Sequence, residues 1–465
     1  MRKFAVLIMV TGLFLSSCSD DFLEQNQRNL TMLSGKALLS VHDPDPEIEI
    51  SLGLAGSEKY HIAYYPRWMV WESMYGKFEN GMTTLKFTVQ EPEVRPNPDF
   101  LTGTVVLDID RIGLVGLEVV YGNIGNIPGQ IFTRVTPLGG SVKDAVMHQS
   151  TGTLVVATQY PNQLLVFRPT TQENFTIPLQ KSPQCLDFLE DGKTLLVGNT
   201  TAEVTLVNLE SRSVVREYPL DCVAFDLVAG QNGWCYVSPQ GDVWEVLRSL
   251  NLATGEVMSG GQLMRGNLCG NMILKKIPGR AQIMGTRTQV GPTGVLQVDI
   301  SRGMANDTLQ YWHMDIHNFW VFRDGNRFLA KSGTLFPIPP FVASVSGGIN
   351  LSEVGRVQLP QTAVGDACFT MAGNTLFVAG GNSWQQGWTQ GEKNLIFSID
   401  AGNLAISKTW EPSYTALEVN GELIMAYNQV IYLFADAMGT RLWAVRRMAP
   451  EAGVEQWSIE EFEVQ

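Results

Sequence analysis

Two tryptophans four residues apart, Trp384 and Trp388, lie in the otherwise polar segment "AGGNSWQQGWTQGEKN" (379–394). Aromatic rings stack on the apolar faces of sugars, and the amides of Gln385 and Gln386 can form hydrogen bonds with sugar hydroxyl groups. These residue types at this spacing predict a ligand-binding loop, with a glycan as the ligand. The alternative is a long loop that folds back and buries both indoles against a neighbouring sheet, because most tryptophans are largely buried.

A second group with possible chemistry is His313, Asp315 and His317 in "YWHMDIHNFW" (311–320). On a helix the two histidines would share a face, and on an unbroken strand all three side chains would, so they could bind a metal ion. Partly buried side chains with local partners are the commoner arrangement for such histidines. No metal site is therefore predicted, and the three residues are kept only as candidate ligands.

Motifs for known catalytic machinery are not found in the sequence. It has no G-x-S-x-G nucleophile motif and no glycine-rich phosphate loop leading into a helix. A carboxylate pair for glycoside hydrolysis could be assembled from distant segments, but a chain with 46 acidic residues permits such a pair by chance. No catalytic residue and no cofactor are predicted.

The first residues have the order of a bacterial export leader. Arg2 and Lys3 precede the apolar run 4–15, which is shorter than the about 20 residues that span a bilayer. The run ends in "LSSC", which resembles the lipobox of bacterial lipoproteins, and this resemblance implies a leader over 1–17 and lipidation of Cys18. An ordinary secretory leader is the alternative. The acidic "SDDFLEQNQ" that follows resembles the export signal of Bacteroidetes lipoproteins on the outer face of the outer membrane; a periplasmic anchor is the alternative.

Composition limits the partners of the chain. Its 465 residues include 33 Lys and Arg against 46 Asp and Glu, a formal charge of −13. Such an acidic chain is a poor match for nucleic acid, and we expect membrane contact through the lipid anchor only. Of six cysteines, lipidation of Cys18 leaves an odd number, which argues against a disulfide framework.

An internal repeat dominates the larger part of the chain. The pattern is four short strands with tight turns, as in "PQCLDFLEDGKTLLVGNTTAEVTLVNLESRSVVREYPL" (183–220), and its turn glycines recur every 40–48 residues. They are Gly152, Gly192, Gly233, Gly279, Gly325, Gly373 and Gly421. This period predicts a seven-bladed β-propeller over 130–465. The repeat resembles YVTN-type propeller repeats, which implies the architecture alone.

Two features of the predicted ring can be checked against a structure. "FTRVTPL" (132–138) has the outer-strand pattern although it precedes the first inner strand, so we expect it to complete the last blade; the C-terminal "EQWSIEEFEV" (455–464) is the competing candidate. A group of tryptophans follows strand registers and is expected in the core: Trp234, Trp244, Trp312 and Trp320.

The first region, 33–122, contains about six alternating segments in a short span, which predicts a small β-sandwich. The order "PRWMVWESMYG", "TTLKFTVQ", "FLTGTVVLDID", "GLEVVYGN" resembles the BACON domain, an immunoglobulin-like module. That resemblance implies a role near carbohydrate handling or a spacer. Residues 18–32 are predicted to be a flexible tether, and "GNIGNIPGQ" (122–130) the joint between the two regions.

Three functions remain open from the sequence. The preferred one is a non-catalytic surface lipoprotein whose propeller binds a glycan or a partner protein. The second is a propeller-type polysaccharide lyase or hydrolase, which requires acidic, basic or His side chains to converge at one mouth of the ring axis. The third is an envelope scaffold whose rim loops hold other envelope proteins.

Overall fold

The computed structural model describes residues 5–7, 30–43, 46–52, 56–90, 99–127, 134–260, 269–289, 294–305, 307–311, 314, 316–342, 350–360, 363–381, 394–419, 422–448 and 455–464. These residues form strands, turns and irregular segments without a helix. Within these ranges there is accordingly no helix with the length and hydropathy to cross a bilayer. The chain divides into two compact units, Met1–Thr136 with Ser413–Tyr427, and Pro137–Pro412 with Asn428–Gln465.

The first unit consists of three sheets. One sheet has the strands Ala5–Leu7, Glu47–Ser51, Met82–Val89 and Met69–Trp71. A five-stranded sheet has Leu30–Ser40, Gly113–Gly122, Phe100–Ile109, Lys59–Tyr64 and Tyr75–Lys77. The third sheet has Ile124–Asn126, Tyr414–Val419 and Glu422–Ala426.

The core of the first unit lies between its two larger sheets. Ile48, Leu85 and Phe87 of one sheet share a buried cluster with Val105 and Leu117 of the other. Their positions alternate along each strand, so one face of each sheet is apolar, and the two apolar faces bury each other as in a β-sandwich.

The second unit consists, in its described part, of seven four-stranded sheets, numbered here along the chain from the inner strand outward. Sheet 1 has Ser141–His148, Thr153–Gln159, Gln163–Arg168 and Glu173–Pro178, and sheet 2 has Pro183–Phe188, Thr194–Asn199, Glu203–Asn208 and Ser213–Pro219. Sheet 3 has Ala224–Ala229, Trp234–Pro239, Arg248–Asn251 and Val257–Ser259, and sheet 4 has Met272–Lys276, Gln282–Arg287, Val295–Asp299 and Asp307–Tyr311. Sheet 5 has Phe319–Val321, Arg327–Ala330, Thr334–Pro337 and Gly355–Arg356, and sheet 6 has Ala363–Phe369, Thr375–Gly381, Ile396–Asp400 and Ile406–Trp410. Sheet 7 has Asn428–Ala435, Arg441–Met448, Trp457–Glu463 and Val135–Leu138.

Each pair of consecutive sheets shares an apolar cluster. Sheets 1 and 2, 2 and 3, 3 and 4, 4 and 5, 5 and 6, and 6 and 7 each bury such a cluster between them. A seventh cluster joins sheet 7 to sheet 1 through Trp443, Val445 and Trp457 against Val142 and Leu154. The sheets therefore follow one another in a closed order, and both faces of each sheet are covered, which is the arrangement of propeller blades.

The turn glycines explain why the repeat was visible in the sequence. Gly152, Gly192, Gly233, Gly279, Gly325 and Gly373 all follow an inner strand and have φ between 63° and 77°. Glycine adopts this left-handed conformation without the steric cost that other residues incur. The tight turn between the first two strands therefore selects glycine in each of these sheets.

The seventh repeat was placed wrongly by the sequence. The predicted opening of this repeat, 416–428, instead falls on the strands Tyr414–Val419 and Glu422–Ala426. These two strands pair with each other and, through Tyr414 and Thr415, with Ile124–Asn126 in the first unit. The inner strand of sheet 7 is Asn428–Ala435, and its turn glycine is Gly439, with φ 72°. Hairpin patterns are local, so the pattern around Gly421 could not indicate which sheet the hairpin joins.

Closure of the ring uses both predicted segments. Val135–Leu138 is the outermost strand of sheet 7, and the C-terminal strand Trp457–Glu463 lies next to it. The early strand therefore completes the last sheet, as expected, and the C-terminal candidate occupies the neighbouring position in the same sheet.

Candidate functional site

Most of the predicted site residues lie outside the described residues: Cys18, His313, Asp315, Trp384, Gln385, Gln386 and Trp388. The segment with the paired tryptophans connects the second and third strands of sheet 6, which end at Gly381 and begin at Ile396. His317 is described and has φ 56°, and the outer strand before it ends at Tyr311. Because His313 and Asp315 lie outside the described residues, the three candidate metal ligands stay a prediction.

The prediction that the strand-register tryptophans are buried holds for one of them and fails for another. Trp320 is buried, with 6% of its surface exposed, whereas Trp244 is 67% exposed. Trp244 lies between the second strand of sheet 3, which ends at Pro239, and the third, which begins at Arg248. The alternating pattern continued past the end of a strand into a connecting segment. Trp234 is partly buried, and Trp312 lies outside the described residues.

The described residues converge instead on four aspartates of the inner strands. We call Asp144, Asp187, Asp226 and Asp366 the channel aspartates, because all four line one cavity of about 930 Å³ at the centre of the sheets. In sheets 1, 3 and 6 the aspartate directly follows a β-bulge. A bulge changes the direction of a side chain, so the carboxyl group faces the cavity although the strand is otherwise apolar.

Each channel aspartate connects its own sheet to the next one. In Asp144, Asp187 and Asp226 one carboxylate oxygen accepts a hydrogen bond from the N–H of the following residue, at 2.8, 2.9 and 2.8 Å. The other oxygen accepts from the inner strand of the next sheet. These bonds are Leu186 N–H to Asp144 at 2.6 Å, Ala229 N–H to Asp187 at 2.8 Å, Leu274 N–H to Asp226 at 2.7 Å and Leu433 N–H to Asp366 at 2.6 Å. The carboxyl groups therefore replace backbone partners that the inner strands do not have on their cavity side.

The same environment raises the pKa of Asp144, Asp226 and Asp366. Burial, followed by the negative charge of Asp226, raises the pKa of Asp144 to about 7. Burial likewise raises the pKa of Asp226 to about 6 and the pKa of Asp366 to about 6, and the ammonium of Lys275 opposes all three shifts. Near neutral pH, a fraction of the molecules therefore carry a proton on one of these carboxyl groups, most often on Asp144.

Cationic groups from sheet 4 enter the same cavity. Nζ of Lys276 lies 3.0 Å from a carboxylate oxygen of Asp187, which belongs to sheet 2. Lys275 also lines the cavity, and no hydrogen bond or ion pair of its side chain is found among the described residues. In the described ranges, no three His, Cys, Asp or Glu side chains are placed to hold a metal ion.

Sequence reasoning missed the channel aspartates, although a signal was present. Each one interrupts an apolar inner strand: "KDAV", "CLDF", "AFDL" and "GDAC". An acidic residue inside such a run is rare unless it is paired or hydrogen-bonded. The recurrence of an aspartate within the inner strand of four repeats was the available indication.

Comparison with known proteins supports the fold and leaves the family open. No family model matches the chain, and no curated protein matches it. The β-propeller domain of Myceliophteria thermophila Cps50 (Swd1) is similar in structure, with a TM-score of 0.50 and 11% identity over 71% of this chain and 98% of that one. Kuenenia stuttgartiensis hydrazine synthase was also found, with a TM-score of 0.49 and 13% identity over 73% of this chain and 99% of that one. The predicted all-β fold with a propeller is confirmed.

Proposed function

We propose that this protein is a non-catalytic binding protein whose propeller holds a glycan or a partner protein. A propeller fits a binding or scaffold role because its connecting loops and its central cavity can vary while the sheets keep their packing. The observation that favours binding over catalysis is the use of the channel aspartates. Their oxygens accept backbone N–H groups within and between sheets, so these carboxylates act first as structural acceptors.

The proposed glycan site is the loop with Trp384, Gln385, Gln386 and Trp388. Its indoles can stack on sugar rings, and its amides can form hydrogen bonds with sugar hydroxyl groups. Glycan-array binding of the wild-type protein and of the Trp384→Ala/Trp388→Ala variant tests this site. We expect the wild type to bind a set of glycans that the double variant does not bind, because the variant lacks the indole rings on which sugar rings stack. Binding of no glycan by the wild type would leave the partner-protein and scaffold alternatives.

We also propose that Cys18 is lipidated and that the chain is held at the outer membrane, facing the cell exterior, with a BACON-like first unit as a spacer. The support is the "LSSC" motif behind the apolar run and the acidic segment after it. Metabolic labelling with a fatty-acid analogue should mark the wild type and leave Cys18→Ala unlabelled. Protease accessibility on intact cells would distinguish the exterior from the periplasmic face.

A second candidate function, polysaccharide cleavage, is favoured by one observation. Asp144 combines a raised pKa of about 7 with a position on a cavity of about 930 Å³, and a carboxyl group of this kind can donate a proton near neutral pH. Incubation with candidate polysaccharides, followed by assays for new reducing ends or unsaturated products, tests this function. Product formation by the wild type that disappears in Asp144→Asn would establish it.

A further inference from the structure

A second cavity adjoins the one lined by the channel aspartates; it shares Lys275, Lys276 and Arg323 with that cavity but not the aspartates. Its volume is about 590 Å³, and we call it the cationic cavity after four of its lining residues: Lys275, Lys276, Arg280 and Arg323. The described residues that line it include no aspartate or glutamate. This is unusual in a chain with a formal charge of −13, so the local charge is opposite in sign to that of the protein as a whole.

The positive charges of this cavity are only partly compensated. Lys276 is paired with Asp187 at 3.0 Å. Arg280 donates to neutral acceptors, the carbonyls of Pro339 at 3.0 Å and Ile338 at 3.2 Å and the side-chain oxygen of Asn326 at 2.9 Å.

Lys275 and Arg323 are the two cations most available to a ligand. Arg323 is exposed and donates to the neutral side-chain oxygen of Gln149. The ammonium of Lys275 acts on the channel aspartates behind it, but no carboxylate is in ion-pair contact with it among the described residues. An anionic group in the cavity would therefore meet charge that the protein itself leaves without a direct counter-ion.

Gln149 holds Arg323 in place from the opposite side of the ring. Its amide nitrogen donates to the carbonyl oxygens of Phe369 at 2.6 Å and Ala435 at 3.2 Å, which belong to sheets 6 and 7. Its amide oxygen then accepts from the guanidinium of Arg323, in the turn between the first two strands of sheet 5. Gln149 is thus a positioning residue, because its neutral side chain orients the guanidinium of Arg323.

The remaining lining residues combine hydrogen-bonding groups with apolar surface. Gln231, Asn232 and Ser301 contribute amides and a hydroxyl, and Met147 and Phe434 contribute half-buried apolar side chains. A volume of about 590 Å³ lies in the ordinary range for small-ligand sites. Hydroxyl partners, an apolar wall and cations together match a short sugar chain with an anionic substituent better than a bare inorganic anion.

We infer that the cationic cavity binds a glycan fragment with a carboxylate or sulfate group, through Lys275 and Arg323. This inference rests on the proposed glycan-binding function and specifies the class of glycan. A guanidinium can form two parallel bonds to a carboxylate or a sulfate, and the lysine adds a third charge-assisted bond. Lys275 and Arg323 can be replaced without changing Trp384 or Trp388, so the two proposals are tested with separate variants.

The test is calorimetric titration of the full chain with three probes: a galacturonate trimer, a neutral galactose trimer and a sulfated galactose trimer. Lys275→Gln is the main variant because its side chain has no described hydrogen bond to lose, and Arg323→Gln is the second. Lys143→Gln is the matched control, since Lys143 is an exposed lysine that lines the cavity of the channel aspartates but not the cationic cavity. We expect the dissociation constant for one anionic trimer to rise about tenfold in each cavity variant, as for loss of one charge-assisted bond. The control should bind like the wild type, and added salt should weaken binding.

The outcomes separate this inference from the proposed function. Equal binding of the neutral and anionic trimers, unchanged in Lys275→Gln and Arg323→Gln, would overturn the inference and leave the glycan-binding proposal intact. Free sulfate and acetate are titrated in the same way. Binding of either ion as tightly as the trimers would also overturn the inference, because the sugar would then add nothing. Preference for galacturonate or for the sulfated trimer identifies which anionic group the cavity takes. If no glycan binds here or on the array, the glycan part of the proposed function fails together with this inference, and the partner-protein alternative remains.

Discussion

Replacement of Asp366 by alanine is expected to weaken the junction between three neighbouring sheets. Its carboxylate accepts a hydrogen bond from Nε1 of Trp320 in sheet 5 at 2.7 Å and from the N–H of Leu433 in sheet 7 at 2.6 Å. Both donor residues are buried, with 6% and 1% of their surface exposed. In Asp366→Ala neither donor keeps a protein acceptor at this position.

The magnitude follows from the number of donors and their surroundings. A buried donor without an acceptor costs about 1–3 kcal/mol. Water from the neighbouring cavity can replace part of the loss, so we expect the free energy of unfolding to fall by about 2–4 kcal/mol for the two donors together. Asp366→Asn keeps one carbonyl oxygen and should lose only about 1–2 kcal/mol.

Urea unfolding followed by tryptophan fluorescence measures this change, with Asp110→Ala, an exposed turn residue of the first unit, as the control. Amide hydrogen exchange adds a local measurement, because exchange at Leu433 should accelerate more than exchange elsewhere in its strand. If Asp366→Ala unfolds at the same urea concentration as the control, the hydrogen bonds between sheets do not contribute to stability as argued.

Three further predictions concern pH, a turn and an exposed side chain. The raised pKa of Asp144 means that the folded chain holds this proton more tightly than the unfolded chain does. The resulting contribution to the free energy of unfolding is complete below about pH 4 and is lost as the pH rises through about 7. The urea concentration at the unfolding midpoint should therefore fall over this pH interval, and it should fall less in Asp144→Asn. Gly192→Ala should be clearly less stable than Gly233→Ala in thermal unfolding, because both glycines have positive φ but only at Gly192 would a Cβ lie 2.4 Å from Nδ1 of His148. If the positive φ were the whole cost, both variants would lose the same free energy of unfolding, about 1 kcal/mol each. Trp244→Ala should change the free energy of unfolding by less than about 0.5 kcal/mol, as expected for an exposed residue; a larger loss would mean that the indole packs against the protein.

The sequence was a good guide wherever the determining interaction was local. Six hairpin glycines, from Gly152 to Gly373, marked the first two strands of six sheets because a tight turn with positive φ selects glycine whatever the rest of the chain does. The same locality produced the error at Gly421. A hairpin pattern specifies a turn and two strands, whereas the sheet that the hairpin joins is decided by contacts with distant residues.

The candidate site was less predictable for a related reason. The channel aspartates were visible in the sequence, but their acceptor roles depend on N–H groups about 40–70 residues away along the chain, which only the packing of consecutive sheets brings near. Trp244 shows the opposite case, since its alternating pattern was typical of a buried strand position and its exposure follows from where the strand ends at Pro239. The charge of the cationic cavity was likewise hidden, because Lys275 and Arg323 come from different repeats.

The last sheet takes strands from two distant parts of the chain, Val135–Leu138 and the segment from Asn428 to Glu463. During synthesis the first of these emerges from the ribosome with its neighbour still hundreds of residues from being translated. The strands of the other six sheets can pair as they are synthesised, but Val135–Leu138 has no pairing strand, and the ring cannot close, until Trp457–Glu463 is made. A premature stop before that strand should therefore yield an open ring, in which the faces of sheets 6 and 1 that sheet 7 covers are exposed. Chaperones and proteases should then bind this truncated chain.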